Sequence, residues 1–416
     1  MQIEDINLTK LASFGGDMPD HWFTFLREEA PVWFHPPVPD CPDLDGEGFW
    51  VFSKYDDIQK ANRDHRTFSA ESGPGRTGGG IMLKDVDQML GSVMIMTDPP
   101  KQQRMRQLVN VGFSPRGVRR LEEYTRELTV RLVDDVLARD ESQCEFVSEI
   151  AAEVPLQVIA EILGVPEADR RQVFTWTNKA LDDTDGDDRM RALVDMYAYA
   201  NALGNEKKAN PTDDVFSRVV AAEIPGEDGT PERLNDFEIA SFFQLIATGG
   251  SETTRNSITG GLLAFMDNPD QLELLLRDRT LMPKAIEEIL RYTSPVNYFR
   301  RTATHDVEVR GQRIEAGQKV SLWYCSGNRD EEVFADPFRF DITRWPNDHF
   351  AFGGGGAHYC LGANLAKMEM DVIFSEILNR MTDFERAGEI ARFNASWYLN
   401  VFGGYEKLPI RFRALG

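Results

Sequence analysis

The stretch Phe352-Gly-Gly-Gly-Gly-Ala-His-Tyr-Cys360-Leu-Gly362 sets four glycines and a histidine before one cysteine, and an amphipathic helical pattern follows from Leu361. Glycines let a backbone lie flat against something bulky. A cysteine at a helix N-terminus meets unpaired N–H groups and the positive end of the helix dipole, which favour thiolate over thiol. A thiolate held there, its donor strength tuned by nearby N–H groups, is a good ligand for haem iron. The bland alternative is a flexible loop with an incidental buried cysteine. A phosphate loop is discounted because the Lys-Ser/Thr ending is missing.

A second group is Gly249-Gly250-Ser251-Glu252-Thr253-Thr254. Two adjacent glycines inside a helix cost about 1 kcal/mol each relative to alanine, so something should compensate. A distorted turn that opens space for a small ligand, beside an acid and an alcohol able to relay protons, would do so. Close helix packing with a solvated Glu252 is the competing reading. Glu288 and Arg291, three apart on one helix face, are ordinary surface decoration when taken alone. Phe299-Arg300-Arg301-Thr302-Ala303 and Pro337-Phe338-Arg339-Phe340 follow them along the chain.

Helices must carry most of these groups. The longest helical pattern predicts a helix over 236–267, capped by Asn235 with Glu238 closing a capping box, and stopped by Asn268-Pro269. At 1.5 Å per residue it is a rod of roughly 45 to 50 Å. Further helical periodicity spans 121–137, 146–163 with a break at Pro155, 189–207, 283–292 and 361–381. Strand signals are confined to 48–53 and 306–323. The glycine-rich 73–80 reads as a mobile loop, a lid in outline. The expected fold is therefore mainly α with a small β portion. Without internal repeats or linkers, residues 1–416 are expected to form one integrated unit.

The 416 residues carry a formal charge of −22 and four scattered cysteines, Cys41, Cys144, Cys325 and Cys360. That charge argues against nucleic acid and anionic membrane as partners. No apolar run is long enough to span a bilayer, and the first ten residues have no signal-peptide character. No CxxC spacing or disulfide-rich density is present, so a reduced, cytoplasmic protein without a membrane anchor is expected.

In type and order these motifs resemble the cytochrome P-450 superfamily over nearly the whole chain: the glycine-acid-threonine turn, Glu-x-x-Arg, an Arg before a β hairpin, Pro-x-Arg-Phe, then the cysteine loop at about 350–362. The resemblance implies a single P-450-type fold with a long central helix over haem b (iron protoporphyrin IX). It implies monooxygenase activity, with dioxygen activated reductively and one oxygen atom inserted into a C–H bond. By the same resemblance Cys360 is the axial thiolate, and Arg106, Arg301 and His358 hold the haem propionates, as charge-assisted bonds to a buried dicarboxylate should. Gln102 and Phe352 are further cofactor contacts. Glu252 and Thr253 are the catalytic acid-alcohol pair, and Glu288, Arg291 and Arg339 form a structural salt-bridge cluster.

Three departures stand out. Phe352 lies eight residues before Cys360, one more than usual; Gln102 replaces a common histidine, weakening one propionate contact; and Gly249 replaces an alanine.

No flavin or iron-sulfur domain fits in the chain, so electrons are expected from a ferredoxin and its NAD(P)H-dependent reductase. Lys101, Arg104, Arg106, Arg116, Arg119 and Arg120 form a candidate docking patch, with solvated helix charges as the alternative. A peroxide-using relative and a haem sensor without turnover are the rival functions, and Glu252-Thr253 argues against both. A haem-free helical protein is the third. Glu252 to Ser257, the cysteine loop and the stretch RRTATHDVEVRGQRI look like the actinobacterial branch that oxidises sterol side chains and methyl-branched lipids. Extra residues over 396–404 depart from that branch, and a terpenoid stays open. The expected lining of a pocket for this lipophilic substrate is Met94, Gln244, Leu245, Thr248, Val296, Asn297, Tyr298, Phe299 and Leu399.

Overall fold

The computed structural model describes residues 1–10, 18–39, 41, 44, 46–87, 91–139, 141–181, 186–225, 230–392 and 401–415. Among them thirteen α-helices accompany five small sheets, so the fold is mainly α. The central helix runs Asp236–Asp267. Its start is fixed by chemistry legible in the sequence: the Glu238 N–H donates to Asn235 Oδ1 at 3.0 Å, and the Asn235 N–H donates to the Glu238 carboxylate at 3.0 Å. Pro269 opens the next helix, Pro269–Arg277, in a first turn where its missing N–H costs nothing. Phe242, Phe243, Ile258, Leu262 and Phe265 are all buried along the rod, which therefore lies inside the molecule.

Two buried clusters flank the site. The larger joins the central helix to the helices Pro115–Leu137, Glu153–Ile162, Met282–Thr293 and Ala363–Arg380. The smaller surrounds a five-stranded sheet. In that sheet Val32–His35 pairs antiparallel with Phe49–Phe52, which pairs parallel with Lys319–Trp323. Lys319–Trp323 pairs antiparallel with Tyr298–Ala303, which also takes Phe68–Ser69 at its far edge.

Three local expectations change. The break in 146–163 precedes Pro155: a π turn over Val147–Ala151 gives way to the helix Glu153–Ile162, where Pro155 sits in the first turn without losing a bond. The glycine-rich 73–80 is pinned rather than loose. Gly79 and Val86 exchange two backbone bonds, the Gly80 N–H donates to Glu71 O, and Arg76 pairs with Glu47 and Asp85. The central helix passes Gly249-Gly250 unbroken, without the distorted turn expected there.

The two glycines meet different needs. A Cβ on Gly249 would touch nothing within 4 Å, so this residue leaves space open. A Cβ on Gly250 would stand 2.4 Å from Ile159 Cδ1, so this one admits a packed neighbour. Thr248, Ser251, Thr253, Thr254 and Ser257 each donate their hydroxyl to the carbonyl four residues back, which keeps these polar side chains satisfied along the helix.

Candidate active site

The cysteine loop is shaped by its glycines. Gly353, Gly355 and Gly356 have φ of 83°, 91° and 79°, a region side chains avoid. Gly356 presses on the backbone of Asn62 and Arg63, and Arg63 Nε donates to Gly354 O at 3.0 Å. The Cys360 N–H closes the loop on Phe352 O at 2.9 Å, and the helix Ala363–Arg380 begins directly after it. Burial pushes the Cys360 thiol up, against the pull of the Gly362 N–H, Arg106 and the Ala363 N–H. Helix-end donors alone therefore do not ionise this cysteine; a cation at the sulfur would, because a coordinating thiol loses its proton.

Cys360 borders a cavity of about 240 Å³ that lies between the two clusters. One wall is the central helix from Gln244 to Ser257, and Met94, Ile95, Val296 and Phe299 supply apolar surface elsewhere. Arg106 and Arg301 also line the cavity, and among the described residues no carboxylate pairs with either. Arg106 donates to Tyr359 O at 2.6 Å and Arg301 to Arg300 O at 2.8 Å. Nearby, His358 Nε2 is buried without a partner among the described residues. Burial, with Arg301 and Arg106 close by, pushes His358 down to about 3. One buried cation, one half-buried cation and an orphaned ring nitrogen beside a cysteine suit a bulky group with acidic arms and a metal for the sulfur. Haem is such a group.

Glu252 and Thr253 face the same cavity from the central helix. Thr253 Oγ1 donates to Gly249 O at 3.0 Å. Burial pushes the Glu252 carboxyl up, and Arg255, its ion-pair partner, opposes this.

Behind the cysteine loop, Glu288 is fully buried and densely satisfied. It accepts from Arg291 Nε and Nη2 at 2.8 Å each, from Asn347 Nδ2 at 3.0 Å, and from the Asp341 N–H at 2.9 Å. The third member of the cluster is Arg344, 3.2 Å from Glu288, not Arg339. Arg339 enters through its carbonyl, which accepts from Arg291 and Arg344, while its side chain is exposed. The carbonyls of Asn328, Pro337 and Arg339 all turn toward Arg291, so the chain bends around that guanidinium and brings back the arginine five residues later.

A sequence-family model described as Cytochrome P450 matches residues 172–385. The methyl-branched lipid omega-hydroxylase of Mycobacterium tuberculosis is 43% identical over 98% of this chain and 95% of its own length. The chain belongs to the cytochrome P450 family. It is a P450 monooxygenase, and the family and fold imply a haem cofactor, redox partners, dioxygen and a lipophilic substrate. The steroid C26-monooxygenase of Rhodococcus jostii is 38% identical over 95% of this P450 and 83% of its own length. A Mycobacterium marinum cytochrome P450 crystallised with pseudoionone superposes with a TM-score of 0.88 at 34% identity, covering 98% of both chains.

Of the expected lining, Met94, Gln244, Leu245, Thr248, Val296 and Phe299 reach the cavity of this P450. Leu399 lies outside the described residues. Asn297 and Tyr298 do not line it: Tyr298 is fully buried against Trp323, and the Asn297 N–H bonds to Val401 O. A strand sends alternate side chains to opposite faces, so Phe299 and Arg301 face the cavity while Tyr298 and Arg300 face away. Gln102 reaches the cavity but donates its Nε2 to Ala357 O at 2.8 Å, leaving Oε1 without a partner. Phe352 borders the cavity, with Lys367 5.2 Å over its ring.

Lining residues that the sequence did not point to include Asn62, Ile81, Phe113, Ile159, Tyr324 and Phe402. Phe402 arrives through a bridge to Val296, and a long-range pairing of that kind leaves no local signal. The basic run is broken up. Lys101 pairs with Glu238, Arg106 turns inward and Arg104 is half-buried, while Arg116, Arg119 and Arg120 are exposed, the last of them paired with Asp213. No helix among the described residues is long and apolar enough to cross a membrane.

Proposed function

We propose that this P450 binds haem b through Cys360 and hydroxylates a methyl-branched or steroid-like lipid with electrons from a ferredoxin and its reductase. The observation that carries the reading is the cavity itself: a cysteine and two arginines without carboxylate partners on one side, and a largely apolar lining on the other. Haem supplies dioxygen activation and transfer of one oxygen atom to a C–H bond.

The chain's own part divides by residue. Cys360 Sγ would ligate the haem iron. Arg301, Arg106 and His358 would hold the two propionates, whose charge would reverse the downward push on His358. Thr253 and Glu252 bring protons to the open space beside Gly249. The apolar lining orients the lipid and keeps water out. The relatives' printed names support the substrate class: methyl-branched lipids in one, steroids in another. For electron supply, exposed Arg116 and Arg119 start the helix Pro115–Leu137, which packs along the helix that follows Cys360 and is tied to it by Arg126 and Glu376. An acidic ferredoxin docked there would lie near the sulfur.

Two measurements test this. Cys360→Ser should abolish the red-shifted Soret band of the reduced carbon monoxide complex, since an alcohol cannot donate as a thiolate does; survival of that band would assign the ligand to another cysteine. With ferredoxin and reductase supplied, NADH-dependent hydroxylation of a branched lipid or steroid is expected. NADH oxidation without oxygenated product from any such compound would refute the substrate class.

A further inference from the structure

Gln244 lines the cavity from the central helix, yet it is only 5% exposed. Tyr197, on the helix Gly186–Ala209 packed alongside, holds one end of its amide: the phenol donates to Gln244 Oε1 at 3.3 Å. The same phenol lies 2.9 Å from Ser241 Oγ. A hydroxyl has a single proton to give, so Ser241 donates to Tyr197 and Tyr197 to Gln244. Burial pushes the Tyr197 phenol up, which keeps that proton in place. The relay turns the amide oxygen toward Tyr197 and leaves Nε2 to the cavity, where it donates to no described residue. The Thr248 hydroxyl, one turn on, is already spent on the Gln244 carbonyl at 2.8 Å.

A buried donor left unpaired is costly. A pure hydrocarbon that filled the cavity would strand Nε2, whereas a ligand oxygen placed there would satisfy it. The charge of that oxygen follows from the lining. Among the described residues that border the cavity the charged side chains are Arg106, Arg301 and Glu252; the two arginines sit beside His358, and Glu252 lies eight residues further along the helix. A carboxylate beside Gln244 would find no cation, so a neutral carbonyl is the matching group.

We propose that Gln244 is a specificity-determining residue whose amide donates to a ketone on the substrate, remote from the carbon that is hydroxylated. The inference rests on the reading of the cavity as a lipid site and names the feature by which that lipid is recognised. At 1.5 Å per residue, Gln244 stands about 12 Å along the helix from Glu252, which keeps the ketone well away from the reacting C–H bond. Tyr197 is a positioning residue, acting through Gln244 Oε1.

The test uses the haem-loaded full chain and two probes of one skeleton: pseudoionone, with its ketone at the opposite end from its dimethyl branch, and the hydrocarbon with a methylene in place of that carbonyl. Dissociation constants are read from the Soret shift. The parent should bind the ketone roughly tenfold more tightly than the hydrocarbon. Gln244→Met keeps the side-chain length without the donor, and should lose this preference through weaker ketone binding alone. Tyr197→Phe should reduce the preference to roughly threefold, and should cost nothing further in the Gln244→Met background. With ferredoxin, reductase and NADH, the parent should oxidise pseudoionone mainly at the dimethyl end, while Gln244→Met should spread oxidation along the chain. Should Gln244→Met fail to load haem, Gln244→Leu serves in the same comparisons.

The proposal is overturned if the parent binds both compounds alike, or if Gln244→Met weakens both equally, which would mark a packing role. A haem-loaded parent whose Soret band responds to neither compound would instead bring down the lipid-site reading, and the proposal with it.

Discussion

Glu369 is a carboxyl that the protein keeps fully buried, with neither oxygen bonded to any described residue. Burial alone raises it to about 8. Near neutral pH it therefore holds a proton that the unfolded chain would have released. Folding takes up that proton between the unfolded value and about 8, so the group's contribution is most favourable in acid and worsens as pH rises through this window. Glu369→Gln removes the titration. The variant should be more stable than the parent by on the order of 2 kcal/mol at pH 7, with little difference near pH 4. Melting curves across that range check it, and a pH-independent difference would exclude the titration. Glu288 presents the opposite situation, a buried carboxylate whose partners are all in place. Because Arg344 supplies the second charge, Arg344→Ala should cost about 3 kcal/mol, whereas Arg339→Ala should cost under about 0.5 kcal/mol. Denaturant midpoints of the two variants distinguish them. The motif around Arg339 was legible in the sequence, but the assignment of its side chain was not. Which arginine returns to Glu288 depends on how the chain bends around Arg291, and no local pattern encodes that.

At the scale of elements, legibility followed local chemistry. Both ends of the central helix were readable because cap residues and a proline act within one turn of themselves. The cysteine loop was readable because three of its glycines answer to backbone angles. The pair Gly249-Gly250 was readable only as an anomaly, since open space and close packing leave the same mark on a sequence. The structure separates them, and the separation can be tested. Gly249→Ala should raise stability by up to about 1 kcal/mol while placing a methyl group in the open space beside Thr253. Gly250→Ala should lose about 1 kcal/mol or more through the clash with Ile159, and adding Ile159→Val, which removes the clashing Cδ1, should recover most of that loss. Melting temperatures of the four proteins close the cycle. Equal behaviour of the two glycine variants would show that Ile159 does not pack as described.

On the scale of the whole molecule the site lies between two cores. The apolar lining is contributed jointly: Ile159, Ile246 and Leu290 belong to the helical cluster, and Ile81, Val93 and Val296 to the cluster around the sheet. Composition and periodicity could place each residue in some core, yet which faces meet across the cavity is decided by packing between distant segments. Val296, bridged to Phe402, lines the cavity from the sheet side. Replacing it with Phe should fill part of the cavity and exclude rigid, bulky ligands first. Testosterone should then lose its low-spin to high-spin shift, while slender, flexible pseudoionone should keep a weakened one. Tyr298→Phe is the control, because that ring faces Trp323 and not the cavity; it should bind both compounds as the parent does. If Val296→Phe binds testosterone unchanged while Tyr298→Phe does not, the alternation of the strand has been read on the wrong face, and the substrate wall must be redrawn from Tyr298 and Arg300.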